Sequence, residues 1–213
     1  MKLFFEGGKL VKTKIPIYLL LIFIILNLVA CTKSSSIEGN INASKVKYSF
    51  DEKVFKSDII AEVKIIKKIN EIDEPIPKTF FNTKIIDIYS SNSDEIKLNE
   101  IEIMQEGNSK WTVNYESVFD VNDYAILFLK KATGYENVYW IISKYNIDVI
   151  DGKEYAVFIN ETDNELSSIE DTEKKKAIYD NLKIKNSEIE NVQVFSKDLI
   201  INKIKEKIGG ISK

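Results

Sequence analysis

Residues 147–158 read IDVIDGKEYAVF, and they contain the clearest turn signal in the chain. The pair Asp151-Gly152 separates two runs that are rich in Ile, Val, Tyr and Phe. A two-residue type I′ turn needs positive φ at both central positions, and Asp-Gly is a favoured pair there. The stretch therefore predicts an antiparallel β-hairpin.

The residues before this hairpin have the same β character. Apolar side chains recur with period two or in short runs of Ile, Val, Phe and Tyr, which favours strands over helices. Pro75 and Pro77 separate two of these runs, since Pro is excluded from the middle of a sheet. The pattern predicts strands over residues 57–69, 79–90, 100–104, 124–129 and 138–149.

The pattern becomes helical after residue 160. Ser167 and Glu170 fit a capping box, which predicts that a helix starts at this point. The pairs Glu170/Lys174 and Asp171/Lys175 have the i,i+4 spacing of helix-stabilising ion pairs. We therefore expect a helix that begins at Ser167 and carries both pairs.

A second helix is predicted to start at Ser196 and to end at Gly209-Gly210, with Ile201, Ile204 and Ile208 on one side. Together these elements predict an α+β fold. The sheet is expected to be either a mainly antiparallel curved sheet or an OB-like barrel, with the helices at the C-terminal end.

Three stretches carry a resemblance to known proteins. They are Ser57-Asp58-Ile59-Ile60 at the first strand, Gln105 and Gly107 after the third, and 122–129 (NDYAILFL) at the fourth. Through them, residues 51–158 resemble small extracytoplasmic β domains of bacterial lipoproteins. This resemblance implies an OB-like or netrin-like outline.

The N-terminal segment has the layout of a secretory signal. Residues 1–14 carry four Lys and one Glu, and residues 15–30 (IPIYLLLIFIILNLVA) carry no charge. A helix of that length would extend about 24 Å, which is shorter than the ~30 Å hydrocarbon core of a bilayer. The run ends in Leu28-Val29-Ala30-Cys31, which resembles the lipobox of bacterial lipoproteins at all four positions.

The lipobox resemblance implies cleavage between Ala30 and Cys31 and a diacylglycerol on the Cys31 thiol. Two acyl chains anchor stably because each buried methylene contributes about 0.8 kcal/mol. The implied location is the extracytoplasmic face of the cell membrane, with the membrane as a partner through covalent lipid. The alternative is an uncleaved membrane helix with an incidental Cys31. The predicted organisation is a lipoprotein signal peptide (1–30), a flexible tether (31–45), a β domain (46–160) and a helical C-terminal appendage (161–213).

The composition excludes several kinds of chemistry. The chain has 213 residues, 30 Lys, one Cys, and neither His nor Arg. It therefore has no imidazole for catalysis or zinc ligation, no second Cys for an internal disulfide, and no guanidinium group to bind phosphate. Removal of residues 1–30 would change the formal net charge from −3 to −6. Such an acidic chain has no basic footprint for nucleic acid.

No common catalytic or nucleotide-binding motif occurs in the sequence, and no cofactor is predicted. The acidic residues within 146–151 and 161–165 do not have the spacing of a calcium-binding loop, so no metal site is predicted either. Paired carboxylates can hydrolyse glycosidic bonds. The sequence does not mark out one pair for that role.

Five aromatic residues near predicted loops form a candidate binding face, because exposed rings stack on sugars or anchor partner proteins. They are Trp111, Tyr115, Tyr135, Tyr139 and Trp140. The competing interpretation is that these rings cover one end of the barrel.

The expected function is a non-enzymatic binding or interaction module of the cell envelope, with an envelope protein or a wall polymer as its partner. One alternative is a small carboxylate-dependent hydrolase that acts on envelope material. The netrin-like outline would imply a protease inhibitor. Inhibitors of that outline use a free N-terminal Cys to contact the catalytic zinc, which an acylated Cys31 cannot do.

Overall fold

The computed structural model describes residues 39–43, 46–91, 99–185 and 189–211. The predicted signal peptide, including Ala30, and the predicted lipid-attachment residue Cys31 lie outside these ranges. Within them, nine strands occur: β1 Gly39–Ile41, β2 Ile59–Ile72, β3 Lys78–Ser91, β4 Glu100–Glu106, β5 Trp111–Val113, β6 Tyr124–Lys131, β7 Val138–Ile150, β8 Lys153–Ile159 and β9 Val192–Ser196. The helices are α1 Phe50–Lys56, a 3₁₀ helix Asn164–Ile169, α2 Thr172–Lys185 and α3 Lys197–Ile211.

Five strands close into a barrel in the order β4-β3-β2-β6-β7. Its antiparallel pairs are completed by a short parallel pairing of β4 with β7, in which Ile103 lies opposite Tyr139 and Met104 opposite Trp140. β8 and β9 extend the sheet from β7, and the helices complete the fold. The predicted α+β class is confirmed, and the OB-like barrel is the correct one of the two predicted architectures.

Residues 125–129 of β6 are buried on both faces, which explains why they are apolar without interruption. On β6, Ala125, Leu127 and Leu129 face the barrel interior. The alternate residues Ile126 and Phe128 face a second core beneath α1 and α3. Fully burying an aliphatic or aromatic side chain contributes about 1.5–3 kcal/mol, so this second core accounts for the position of α1 and α3.

The predicted hairpin is present. Asp151 and Gly152 connect β7 to β8 with φ angles of 52° and 75°, as a type I′ turn requires. The other five predicted strands are also confirmed, and their observed ends differ from the predicted ends by up to three residues.

The predicted start of the first C-terminal helix at Ser167 is wrong. Asp171 caps α2, because its carboxylate accepts the backbone N–H of Lys174 at 3.0 Å, and residues 164–169 form the preceding 3₁₀ helix. Glu170 thus precedes the helix and pairs with Lys175 at 2.9 Å, while Lys174 pairs with Asp151 at 2.9 Å. Lys174 and Lys175 therefore form ion pairs with other residues than the predicted pairs Glu170/Lys174 and Asp171/Lys175 assign to them.

The end of the last helix also differs from the prediction. Gly209-Gly210 lie inside α3, which continues to Ile211, and neither glycine has the positive φ of a helix-terminating position. Between the two helices, β9 pairs with β8, so the segment predicted as a helical appendage contributes a strand to the main sheet.

Two elements precede the barrel. In α1, the capping box of Ser49 and Glu52 is formed by reciprocal hydrogen bonds of 2.9 and 3.2 Å. Gly39–Ile41 lie in the segment predicted to be a flexible tether, yet they form β1, which pairs in parallel with β5. The Asn40 carboxamide oxygen strengthens this pairing by accepting the backbone N–H of Tyr115 at 2.6 Å.

Candidate functional site

One edge of β7 is left open. The pairing with β4 ends at Trp140, and the pairing with β8 starts at Asn146. Among the described strands, residues 141–145 therefore pair only with β6, on the opposite side. A cavity of about 290 Å³ lies beside this stretch, and we call it the β7-edge cleft.

The walls of the β7-edge cleft are largely apolar. Met104 and Phe158 supply buried surface, while Ile76, between Pro75 and Pro77, and Trp140 are 40% and 37% exposed. Val46, just before α1, is 71% exposed and also lines the cleft. An open apolar cavity of this kind is a common form of ligand site.

A row of four large side chains runs from the cleft across the barrel. Its ends, Tyr135 and Trp140, are exposed, and its middle residues, Phe80 and Met104, are buried at 4% and 6% exposure. Phe80, Met104 and Trp140 lie opposite one another on β3, β4 and β7, and directly opposite residues project from the same face. The ring of Tyr135, which is 41% exposed, packs on Phe80 with centroids 5.5 Å apart. We call Tyr135, Phe80, Met104 and Trp140 the aromatic row.

A buried ion pair borders the cleft. Lys53 Nζ donates a hydrogen bond to Asp163 Oδ2 at 3.1 Å, and the two side chains are only 5% and 2% exposed. The same ammonium group lies 4.3 Å from the ring centroid of Phe158. Since Lys53 lines the cleft and an ammonium carries three donors, it has further donor capacity at this wall.

Two polar side chains in the cleft lack hydrogen-bond partners among the described residues. They are the hydroxyl oxygen of Ser143, a residue that is 6% exposed, and the amide oxygen of Asn146. Buried polar atoms normally have at least one partner. These two atoms therefore offer hydrogen-bonding capacity for a molecule bound in the cleft.

The charges that line the cleft are mainly negative. Glu106, Glu116 and Glu161 contribute carboxylates, against the ammonium groups of Lys53 and Lys144. Lys144 and Glu116 form an ion pair of 3.4 Å. The excess of acidic side chains favours a ligand that carries positive charge.

Nothing in the described part of the chain forms a metal-binding group of three or more acidic or Cys side chains. Two of the acidic residues considered as possible calcium ligands form ion pairs instead. Asp163 binds Lys53, and Asp151 binds Lys174.

The structure separates the five aromatic residues proposed from sequence. Tyr135 and Trp140 are the exposed ends of the aromatic row. Trp111 and Tyr115 are half-buried beside β1, and Tyr139 packs against the barrel core. The five therefore do not form one continuous face.

Sequence reasoning missed several residues of the cleft. Lys53 could have been located from the Ser49/Glu52 capping box, which indicates α1. Ser143 had no comparable signal, because its burial depends on how β7 passes between β4 and β8.

Neither a protein-family model nor a curated protein matches this chain. None of the helices in the described ranges has both the length and the apolar character needed to span a membrane.

Proposed function

We propose that this protein is a lipid-anchored extracytoplasmic binding module of a bacterial cell envelope, and that its partner is an envelope protein or a wall polymer. The anchor is supported by the charged segment, the apolar run and Leu28-Val29-Ala30-Cys31, which together have the layout of a lipoprotein signal. Attachment at Cys31 would leave the barrel outside the membrane.

The observation that carries the binding role is the position of Tyr135 and Trp140, the two exposed rings of the aromatic row. OB-like barrels bind oligomers on the face of their second and third strands and with the two flanking loops. Here those strands are β3 and β4, and the loops are 73–77 and 132–137. Ile76 and Tyr135 come from the loops and are exposed, while Phe80 and Met104 on the strands are buried, and Phe80 supports the ring of Tyr135.

Lipid labelling tests the anchor. Cells that express the full chain with a labelled fatty acid should incorporate label into the wild-type protein and none into Cys31→Ala. Undiminished labelling of Cys31→Ala would contradict attachment at this thiol.

Binding to isolated envelopes tests the aromatic row. Detergent-solubilised full chain is incubated with cell-wall and membrane fractions of the producing bacterium, and the bound fraction is measured by sedimentation. Combining Tyr135→Ala with Trp140→Ala should reduce binding about tenfold or more, because two stacking or anchoring rings are removed. Phe55→Ala, which alters a 60% exposed ring on α1, is the matched control and should bind normally.

A second candidate function is the carboxylate-dependent hydrolase, which is favoured by the presence of three glutamates in the cleft lining. Two carboxyl groups of this kind act as acid and as base or nucleophile in glycoside hydrolysis. In this case Glu106→Gln and Glu161→Gln would each abolish release of reducing ends from wall polymer. Binding without any such release would support the binding module instead.

A further inference from the structure

We propose that the β7-edge cleft binds an extended polypeptide segment that carries a basic residue and pairs with β7 as an added strand. The inference rests on the proposed binding function and narrows the partner to a protein. It concerns the open edge of β7. Met104 and Trp140 belong both to the cleft and to the aromatic row, whereas Tyr135 and Phe80 do not line the cleft.

The backbone of β7 supplies the first argument. Residues 141–145 have a strand partner on one side only among the described residues, and β4 and β8 flank the open stretch. An open edge presents N–H and C=O groups that another chain can pair with. Addition of a strand to such an edge is a recurrent mode of peptide recognition.

The side chains of the cleft match an extended chain. Successive side chains of a strand point to opposite faces, so every second residue of an added strand would face the cleft. The apolar surface of Met104, Ile142 and Phe158 would receive these side chains. Ile76 and Val46, both exposed now, would be covered by the same segment.

The buried polar atoms indicate what else the ligand offers. The Ser143 hydroxyl lacks a partner in the described structure although the residue is 6% exposed. Lys53 Nζ has donor capacity beyond its bond to Asp163. A peptide backbone carries both carbonyl acceptors and amide donors, and it can therefore satisfy both groups.

Charge favours a basic segment over a second copy of this chain. Three glutamates and two lysines line the cleft. Asp163 compensates Lys53 and Lys144 compensates Glu116, so the lining together with Asp163 has a net formal charge of −2. The whole chain is itself acidic, with a formal charge of −3. A cationic peptide is therefore attracted to the cleft, whereas another copy of the chain is repelled.

The test uses the full chain in detergent and fluorescein-labelled nine-residue peptide pools. Each pool alternates Thr with a mixture of Val, Ile, Leu and Phe, and has either Lys or Glu at its centre. Fluorescence anisotropy should show about fivefold tighter binding of the Lys pool, as expected for one partly screened charge contact. Glu106→Lys should remove this preference, and Asp180→Lys, an exposed charge reversal on α2, should preserve it.

Backbone methylation distinguishes an added strand from other modes of binding. Methylating the amides of one set of alternate residues should weaken binding about tenfold or more, since two or three hydrogen bonds to β7 are lost. Methylating the other set should leave the affinity within about twofold of that of the unmethylated peptide. In Trp111→Phe, Trp140 is the sole remaining tryptophan, and its emission should shift when the Lys pool binds.

Equal effects of the two methylation patterns, or no binding of any pool at millimolar concentration, would overturn the proposal. If the Trp140 emission responds to a tetramer of N-acetylglucosamine and not to the peptides, strand addition is refuted while the binding module survives. Failure of the wild-type chain to bind envelopes in the sedimentation assay would instead contradict the proposed function itself.

Discussion

Lys53 Nζ lies 3.1 Å from Asp163 Oδ2, although the two residues are 110 positions apart in the sequence. The contact joins α1 to the segment that follows β8. Two further hydrogen bonds fix Asp163. Its second carboxylate oxygen accepts from the backbone N–H of Glu165, and its backbone N–H donates to the side-chain oxygen of Gln193. This ion pair therefore fixes one wall of the β7-edge cleft.

Removing only one charge of the Lys53–Asp163 pair should strongly destabilise the protein. Lys53→Met should lower the free energy of unfolding by about 3–5 kcal/mol, because it leaves the Asp163 carboxylate buried without a counter-charge. Combining Lys53→Met with Asp163→Asn should recover most of that loss, since no buried charge remains. Urea denaturation followed by circular dichroism measures both variants, and equal losses in the single and double variants would contradict this account.

The Tyr145 hydroxyl should make the stability of the protein sensitive to alkaline pH. Tyr145 is completely buried, stacks on Phe158 with ring centroids 4.8 Å apart, and its hydroxyl has no hydrogen-bond partner among the described residues. Burial, together with the nearby carboxylates of Asp163, Glu161 and Glu165, raises the pKa of Tyr145 well above its usual value. Above pH 10 the unfolded chain would lose this proton and the folded chain would keep it.

Stability should consequently fall as the pH rises above 10, with Tyr145 contributing about 1.4 kcal/mol per pH unit. Tyr145→Phe should remove that contribution and should raise the free energy of unfolding at pH 7 by about 1 kcal/mol, since an unsatisfied hydroxyl is deleted. The measurement is urea denaturation from pH 7 to 11. Tyr124→Phe, at a 39% exposed ring, is the control and should retain the alkaline slope of the wild type.

The contact between Gly39 and Trp111 tests the attachment of β1. A Cβ atom at position 39 would lie 2.5 Å from Trp111 Cζ3, so the indole ring packs directly on the glycine backbone. Gly39→Val should displace the ring and separate β1 from β5, with little effect on the barrel. In a Trp140→Phe background, the emission of Trp111 should shift to longer wavelength, while the urea midpoint should change only slightly. An unchanged spectrum would show that β1 does not depend on this contact.

The strands were predictable from sequence because their burial is periodic. Residues 125–129 are apolar at every position since this part of β6 is covered on both faces, and Asp151-Gly152 specify their turn through local φ preferences alone. β1, β5 and β9 were missed. Each is a strand of five residues or fewer, so the pairing partner, and not a long local pattern, determines the structure.

The candidate site was less predictable than the fold. Tyr135 and Trp140 were identified as aromatic residues near a loop, but the same reasoning included Tyr139, which packs against the barrel core. Adjacent residues of a strand point to opposite faces, so the direction of each ring depends on register. The sequence did not give that register for β7, which contains an irregularity opposite Phe128 and Leu129.

The sequence by itself determined the α+β class, the strand-rich body and the hairpin at Asp151-Gly152, because these follow from local hydrophobic periodicity and turn preferences. Only the tertiary structure decided that the barrel closes through β4 and β7, that β7 keeps an open edge, and that Lys53 meets Asp163 beside it. Such contacts join residues far apart in the chain. They arise from the simultaneous packing of several elements, which no local pattern encodes.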